Sequence, residues 1–355
     1  MARIKNILVV GTGTIGEPLI GLLTTLRKEL GIDEIRFHKR TPLLTDRSKV
    51  KDLIRRGASL VADADRHDDF REIGLEPQHR TRDALEDASV VVDCTPAGNK
   101  MKEKYYNDHA GNTDLFIAQG SEFGFGKMYA RGINDSALVP GEDRFVQVVS
   151  CNTHNLSVLV QVLALNEGAD NLEHGRFVCI RRANDLSQDD KFIPSPEVGR
   201  HKDERFGTHH ARDAFHLFQT LGHDLNLYSS AMKLNTQFMH VIHFNLRLKR
   251  ATTLERIHQH IEANDRVATT YKHTANSIFS FGRDHGFFGR ILNQTVIPLD
   301  TLALSSGGHE LVGFCFTPQD GNSILSSIAA SAWGLDPENY EKRIQALSPY
   351  FFNEV

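Results

Sequence analysis

The sequence predicts an α/β fold with a doubly wound parallel sheet in its first part. Two observations carry this. A glycine-rich turn lies between a buried apolar run and an amphipathic helix, and short β-branched runs alternate with helical segments up to about residue 150. A third observation, a cysteine at a later strand–helix joint, points to chemistry. At 355 residues and 40% hydrophobic content the chain is long enough for two packed domains. We expect a dinucleotide-binding domain over 1–150, a second domain over 151–316 and a helical segment over 317–355 that returns to the first domain.

Composition excludes some classes. The net charge is -4 and the charged fraction 24%, so bulk charge makes no case for a nucleic-acid or membrane partner. No run of 18 apolar residues suggests a membrane helix. The first strand begins almost at once, so no cleaved leader is expected. Four widely spaced cysteines without a CxxC pair fit a reduced, cytoplasmic enzyme with no metal site. The 18 histidines offer polar or anion-binding positions.

The stretch IKNILVVGTGTIGEPLIGLLTTLRKELG is the most legible. Ile7 to Val10 read as a buried strand, followed by G-x-G-x-x-G at Gly11, Gly13 and Gly16. Gly11 permits the tight turn, Gly13 lets backbone approach a pyrophosphate, and Gly16 lets helix pack on strand. Thr14 and Ile15 complete the turn, and the helix start faces the phosphates with unsatisfied N–H groups. This is the setting of a Rossmann dinucleotide site. The other reading is a glycine-rich turn in another α/β protein.

The second strand, EIRFHKR, ends in His38, Lys39 and Arg40, followed by Thr41, where an NAD-preferring site usually has Asp or Glu. Cations suit a 2′-phosphate, so NADP is expected to bind at least as well as NAD; the other reading is a solvated basic turn. A further buried strand, Val90 to Asp93, ends at Cys94 beside the turn Thr95–Pro96. Leu115 to Ala118 form the next strand, which ends at the Gly120–Ser121 turn. Both turns are candidates for cofactor contact. Cys94 reads as a strand-end residue, with no base placed beside it by any motif.

VQVVSCNTHNLSVLVQVLAL joins a strand to a helix at Cys151, between Ser150 and Asn152. A helix N-terminus lowers a thiol pKa by favouring the anion, and a partner histidine can take the proton. On these residues alone Cys151 is equally a nucleophile or a small buried cysteine. Beside a nicotinamide, a thiol nucleophile has an obvious use: adding to an aldehyde to make a thiohemiacetal with a transferable hydride.

At this point the chain resembles the archaeal-type (type II) glyceraldehyde-3-phosphate dehydrogenases. The stretches GTGTIG, HKRTP, VVDCTPAG, AQGSE, VVSCNT, IRRAND, THHARD and TQFMHVIH carry the resemblance, in family order, with PQDGNSILSSIAA as a C-terminal addition. The resemblance implies a second, α+β catalytic domain with a mostly antiparallel sheet, and a homotetramer built on the broad face of that sheet. It implies NADP or NAD as cofactor, with a phosphorylated aldehyde and inorganic phosphate as small-molecule partners.

The resemblance makes Cys151 the nucleophile and His240 the general base. Backbone N–H groups at Ser150 and Asn152 would hold the oxyanion, and the Thr153 hydroxyl would join an anion site. Arg181 and Arg182, closing FVCIRR, would hold a phosphate or the cofactor. His209 and His210 would contact the sugar phosphate. Gln319 would touch the nicotinamide, with Asn322 as a competitor. His243 is not expected to take part. The implied reaction is phosphorylating oxidation of glyceraldehyde 3-phosphate through a Cys151 thioester.

The chain departs from the family pattern at the anion sites. His154 stands where a threonine is usual, an arginine after it is absent, and residues 186–208 differ in composition and spacing. Alternatives are a dehydrogenase of another phosphorylated aldehyde or acyl phosphate, a non-catalytic dinucleotide-binding homologue, or hydride transfer without a covalent step. His154 either takes over part of an anion site or packs there.

Overall fold

A computed structural model describes residues 3–120, 122–185, 188, 192–318 and 320–355. The chain forms two compact units. One comprises Met1–Lys127, Leu138–Val148 and Ile324–Ser348; the other comprises Met128–Ala137, Val149–Ser323 and Pro349–Val355.

The first unit is built on β1 (Asn6–Val10), β2 (Glu34–His38), β3 (Ser59–Ala62), β4 (His79–Arg80), β5 (Val90–Asp93), β6 (Leu115–Gln119), β7 (Lys127–Tyr129) and β8 (Phe145–Val148). The sheet order is β4-β3-β2-β1-β5-β6-β8-β7, and the pairings from β4 to β8 are all parallel. β1, β5 and β6 are buried along their whole length, as strands covered on both faces must be, which is why their sequences are nearly unbroken apolar runs. The order runs outward from β1 to β2 and β3, then resumes on the other side of β1 at β5. The reversal leaves a crevice at the carboxyl ends of β1 and β5, and the glycine turn sits there.

The second unit carries β9 (Leu172–Arg181), β10 (Glu197–Val198), β11 (Leu227–Lys233), β12 (His240–Leu248), β13 (Val267–Thr270), β14 (Thr295–Pro298), β15 (Ala303–Ser305) and β16 (Glu310–Thr317). Its order is β10-β11-β9-β12-β16-β14-β13, with β15 also on β16. Pairing is antiparallel except at β9/β11 and β13/β14. The expected class, a doubly wound parallel sheet plus an α+β unit with a mostly antiparallel sheet, is the fold observed.

Residues on β12 alternate strictly between buried and half-buried, so His240, Ile242, Phe244 and Leu246 share the inner face. That face packs with Leu156 and Leu159 of the Cys151–Leu163 helix and with Phe215 and Phe218 of the His209–Gln219 helix. Each such side chain, fully buried, contributes roughly 1.5–3 kcal/mol. The core therefore fixes both helix starts and the head of β12 in one unit. His243, three residues beyond His240, falls on the opposite face against Phe314. Among the described residues no helix is long and apolar enough to cross a membrane, and no group of three His, Cys, Asp or Glu residues is set to hold a metal.

Candidate active site

In the first unit the glycine turn has the features its spacing predicts. Gly11 has φ +97°, in the left-handed region, and its N–H donates to the His38 carbonyl at 3.2 Å. A Cβ at Gly16, the first residue of the Gly16–Thr25 helix, would collide with the Gly11 carbonyl. A Cβ at Gly13 would meet nothing within 4 Å, so backbone there is open to a ligand. Thr14 and Ile15 are half-buried in the turn. This cradle fits the pyrophosphate of NAD or NADP.

Thr95 closes the cradle: its methyl lies 3.2 Å from where a Gly11 Cβ would be. It is held by Asp93, whose Oδ1 accepts from the Thr95 N–H at 2.8 Å and from its hydroxyl at 2.6 Å. The Tyr106 hydroxyl donates to the other oxygen at 2.7 Å. Pro96 is exposed next to it, and Gly120, with φ +74°, donates to the Val148 carbonyl. Ser121 and Gln319 lie outside the described residues. Cys94 is half-buried, and burial, then the Asp93 charge, pushes its thiol well up.

Of the basic residues after β2, Lys39 is tied to Asp46 at 2.6 Å while Arg40 is exposed. Arg182, expected from sequence beside the cofactor or substrate anion, belongs to the second unit.

In the second unit Cys151 is the first residue of its helix and half-buried. Ser150 is the N-cap, accepting from the Thr153 N–H at 3.3 Å. Its hydroxyl also meets Thr153 Oγ1 at 2.9 Å and His210 Nδ1 at 3.4 Å. The Cys151 carbonyl accepts from Asn322 Nδ2 at 2.9 Å, so Asn322 anchors the helix start. Asn152 is buried and accepts from the Thr317 hydroxyl at 3.4 Å; Thr153 is buried with its hydroxyl on Ser150. Both side chains are therefore spent inside the unit.

The local environment reverses the expected shift of the thiol. Burial, then the Asp320 carboxylate, outweighs Arg182 and Arg181 and pushes Cys151 up to about 11. A helix start stabilises an anion by about 0.3–1 kcal/mol, whereas a rise from 9.0 to about 11 corresponds to roughly 3 kcal/mol the other way. Desolvation wins.

His240 opens β12 and is 6% exposed. Its Nδ1 accepts from the Arg182 backbone N–H at 3.0 Å. A backbone N–H can only donate, so the neutral ring carries its proton on Nε2. Burial, then Arg182 and Arg181, holds its pKa well below the ordinary value. The ring held in this way is a donor at Nε2, which conflicts with the general-base role implied by the resemblance.

Arg181 ends β9, and Arg182 follows with Nη2 on Asp185 at 2.7 Å and 4.0 Å from Asp320. His209 and His210 open their helix with ring centroids 3.9 Å apart. Burial, then Arg181, takes His209 down to about 4; burial, then His209, Arg181 and His240, takes His210 well down. Three buried nitrogens in this cluster have no hydrogen-bond partner: Arg181 Nε, Arg182 Nε and His210 Nε2.

His154 packs rather than binding an anion. It is 0% exposed, Nδ1 donates to the Ser150 carbonyl at 3.0 Å, and burial holds it neutral, with a pKa of about 4.

Sequence reasoning missed Asp320, Asp185 and Arg290. Arg290 comes from the Phe- and Gly-rich stretch FGRDHGFFGRILNQ, which has no sequence signature. There the Ala275–His285 helix gives way to a turn with positive φ at Phe288 and Gly289, and Arg290 Nη2 reaches Asp320 at 3.6 Å.

No family model matches the chain. It is 29% identical over 209 residues to glyceraldehyde-3-phosphate dehydrogenase of Archaeoglobus fulgidus, covering 56% of this chain and 55% of that protein. It is 25% identical over 246 residues to the protein of that name from Pyrobaculum islandicum, covering 66% and 63%. With the Pyrococcus furiosus protein of that name, identity is 30% over 223 residues, covering 61% of each. The chain thus spans less than two thirds of the length of these relatives. The resemblance carried by the motifs is a measured one: this chain is similar to the archaeal glyceraldehyde-3-phosphate dehydrogenases.

Proposed function

We propose that the protein is an NAD(P)-dependent phosphorylating aldehyde dehydrogenase acting on glyceraldehyde 3-phosphate. The observation that carries this reading is the set of unpartnered buried nitrogens on Arg181, Arg182 and His210, in the cluster that holds Cys151. An unsatisfied buried polar group costs roughly 1–3 kcal/mol, and three of them in one cluster suit an anionic ligand that takes up their hydrogen bonds. The glycine cradle and the name its relatives carry support a dinucleotide and an aldehyde.

The chemistry follows from the groups present. Cys151 loses its proton to solvent, and its sulfur attacks the aldehyde carbon, forming the S–C bond and placing the π electrons on oxygen. His240 Nε2–H and the helix-start N–H groups hold that oxyanion. Loss of hydride from the carbon as the C=O re-forms would give a thioester, and a nicotinamide held at the glycine cradle would supply the hydride acceptor. A phosphate oxygen, held by the arginine and histidine nitrogens, attacks the thioester carbon. The S–C bond breaks, and the acyl phosphate 1,3-bisphosphoglycerate leaves with the thiolate restored.

The outer face of β12 and β16, with half-buried Val241 and His243 and exposed Phe314, supports assembly of copies into a homotetramer. The four free cysteines support a cytoplasmic setting.

The experiment is steady-state reduction of NADP⁺ and NAD⁺ with glyceraldehyde 3-phosphate, with and without phosphate or arsenate. Turnover requiring one of these oxyanions is expected. Phosphate-independent turnover, or none, overturns the phosphorylating reading, and a panel of phosphorylated aldehydes then tests the substrate.

A further inference from the structure

β2 ends without the acidic residue that usually accepts from a ribose 2′-hydroxyl, and the structure supplies a carboxylate from elsewhere. The short helical turn Leu44–Asp46 precedes the Arg47–Arg55 helix and brings Asp46 back to the strand end. Asp46 Oδ2 accepts from Lys39 Nζ at 2.6 Å, and its Oδ1 lies 3.0 Å from Lys49 Nζ. Lys49 Nζ in turn donates to the Thr12 carbonyl, inside the glycine turn, at 3.0 Å. Since the Gly11 N–H donates to the His38 carbonyl, the Lys39–Asp46–Lys49 bridge spans the place where strand end and phosphate turn meet. In a dinucleotide site of this topology that is where the adenosine ribose lies.

We propose that Asp46 sets the choice between NAD and NADP in this protein. The inference rests on the dinucleotide reading of the glycine turn. The bridge is two ammoniums and one carboxylate, so it carries one net positive charge. Its partners are partly enclosed, with side-chain exposures of 11% for Lys39, 23% for Lys49 and 26% for Asp46. Burial favours the neutral acid, but the hydrogen bonds from Lys39 and Lys49 outweigh it and keep Asp46 ionised below its ordinary range. The carboxylate can therefore accept from a 2′-hydroxyl and repels a 2′-phosphate, while the lysines and exposed Arg40 attract that phosphate. The next acid–base pair along, His38 with Asp63 at 3.5 Å, is closed by the Thr81 hydroxyl on Asp63, which leaves Asp46 as the carboxylate of the bridge. Removing the carboxylate charge therefore shifts the preference toward the phosphorylated dinucleotide.

The test is equilibrium binding of NAD⁺ and NADP⁺ to the full chain, read by calorimetry at fixed ionic strength, for the native protein, Asp46→Asn and Asp46→Glu. Asp46→Asn raises the bridge from one to two positive charges, and the affinity ratio of NADP⁺ to NAD⁺ is expected to rise about fivefold, the upper end of what one partly exposed charge pair contributes. Asp46→Glu keeps the charge and is expected to keep the native ratio to within about twofold. An unchanged ratio in Asp46→Asn, or an equal rise in Asp46→Glu, overturns the inference. A native chain that binds neither dinucleotide overturns the reading beneath it.

Discussion

The backbone N–H of Arg182 donates to Nδ1 of His240, and that single bond at 3.0 Å assigns the imidazole its chemistry. With Nδ1 occupied as an acceptor, an imidazolium would have to place a second proton against an N–H dipole, beside two guanidiniums that already disfavour it. A neutral donor is the stable form.

A donor and a base respond differently to substitution. His240→Ala is expected to lower kcat by about 10²–10³, the effect of losing one oxyanion donor. His240→Gln keeps an amide N–H with no useful basicity and is expected to recover activity to within about tenfold of the native enzyme. The pH profile of kcat/KM should show no inflection near 6.5 from this residue. Equal loss in both variants, with native thermal unfolding, would sink the donor assignment and restore the base.

Cys151 should behave as a thiol that ionises only in strong alkali. Its pKa of about 11 reflects burial and Asp320. Alkylation of the free enzyme by iodoacetamide is expected to speed up about tenfold per pH increment from 7 to 10. Asp320→Asn removes the nearby carboxylate and should shift that rise to lower pH. A rate that has levelled off by pH 8 would mean that the helix start has overcome desolvation.

Local signals were readable and distant ones were not. The G-x-G-x-x-G turn works through backbone conformation within six residues, so Gly11, Gly13 and Gly16 could be assigned from spacing. Cys151 and its Ser150 cap are equally local. Asp320 and Arg290 act on the thiol cluster from segments about 170 and 140 residues further along, and nothing at those positions announces a charge partner. The direction of the Cys151 shift was illegible for the same reason: the helix start can be read from sequence, but desolvation depends on everything that packs around the sulfur. The burial of Asn152 and Thr153 is a tertiary effect too: the helix they open is enclosed on every side from Asn152 to Val160, which its sequence pattern does not announce.

His154 ties this buried geometry to stability. It is fully buried, neutral, and has a folded-state pKa of about 4 against an ordinary value of 6.5. Between those values the unfolded chain binds a proton that the native chain refuses, so stability falls as pH falls. The contribution is intact above pH 6.5 and is lost progressively towards pH 4, by up to about 3 kcal/mol. The native midpoint for urea unfolding should therefore drop across this window by more than that of His154→Gln. Part of the drop will remain in the variant, because His209, His210 and His240 are depressed in the same direction. At neutral pH the variant should itself be less stable, since the smaller amide leaves space around a fully buried ring at the very cap that positions Cys151. Parallel pH dependence in the two proteins would show that His154 does titrate in the folded state, and that its ring is not the neutral strut on which the helix start rests.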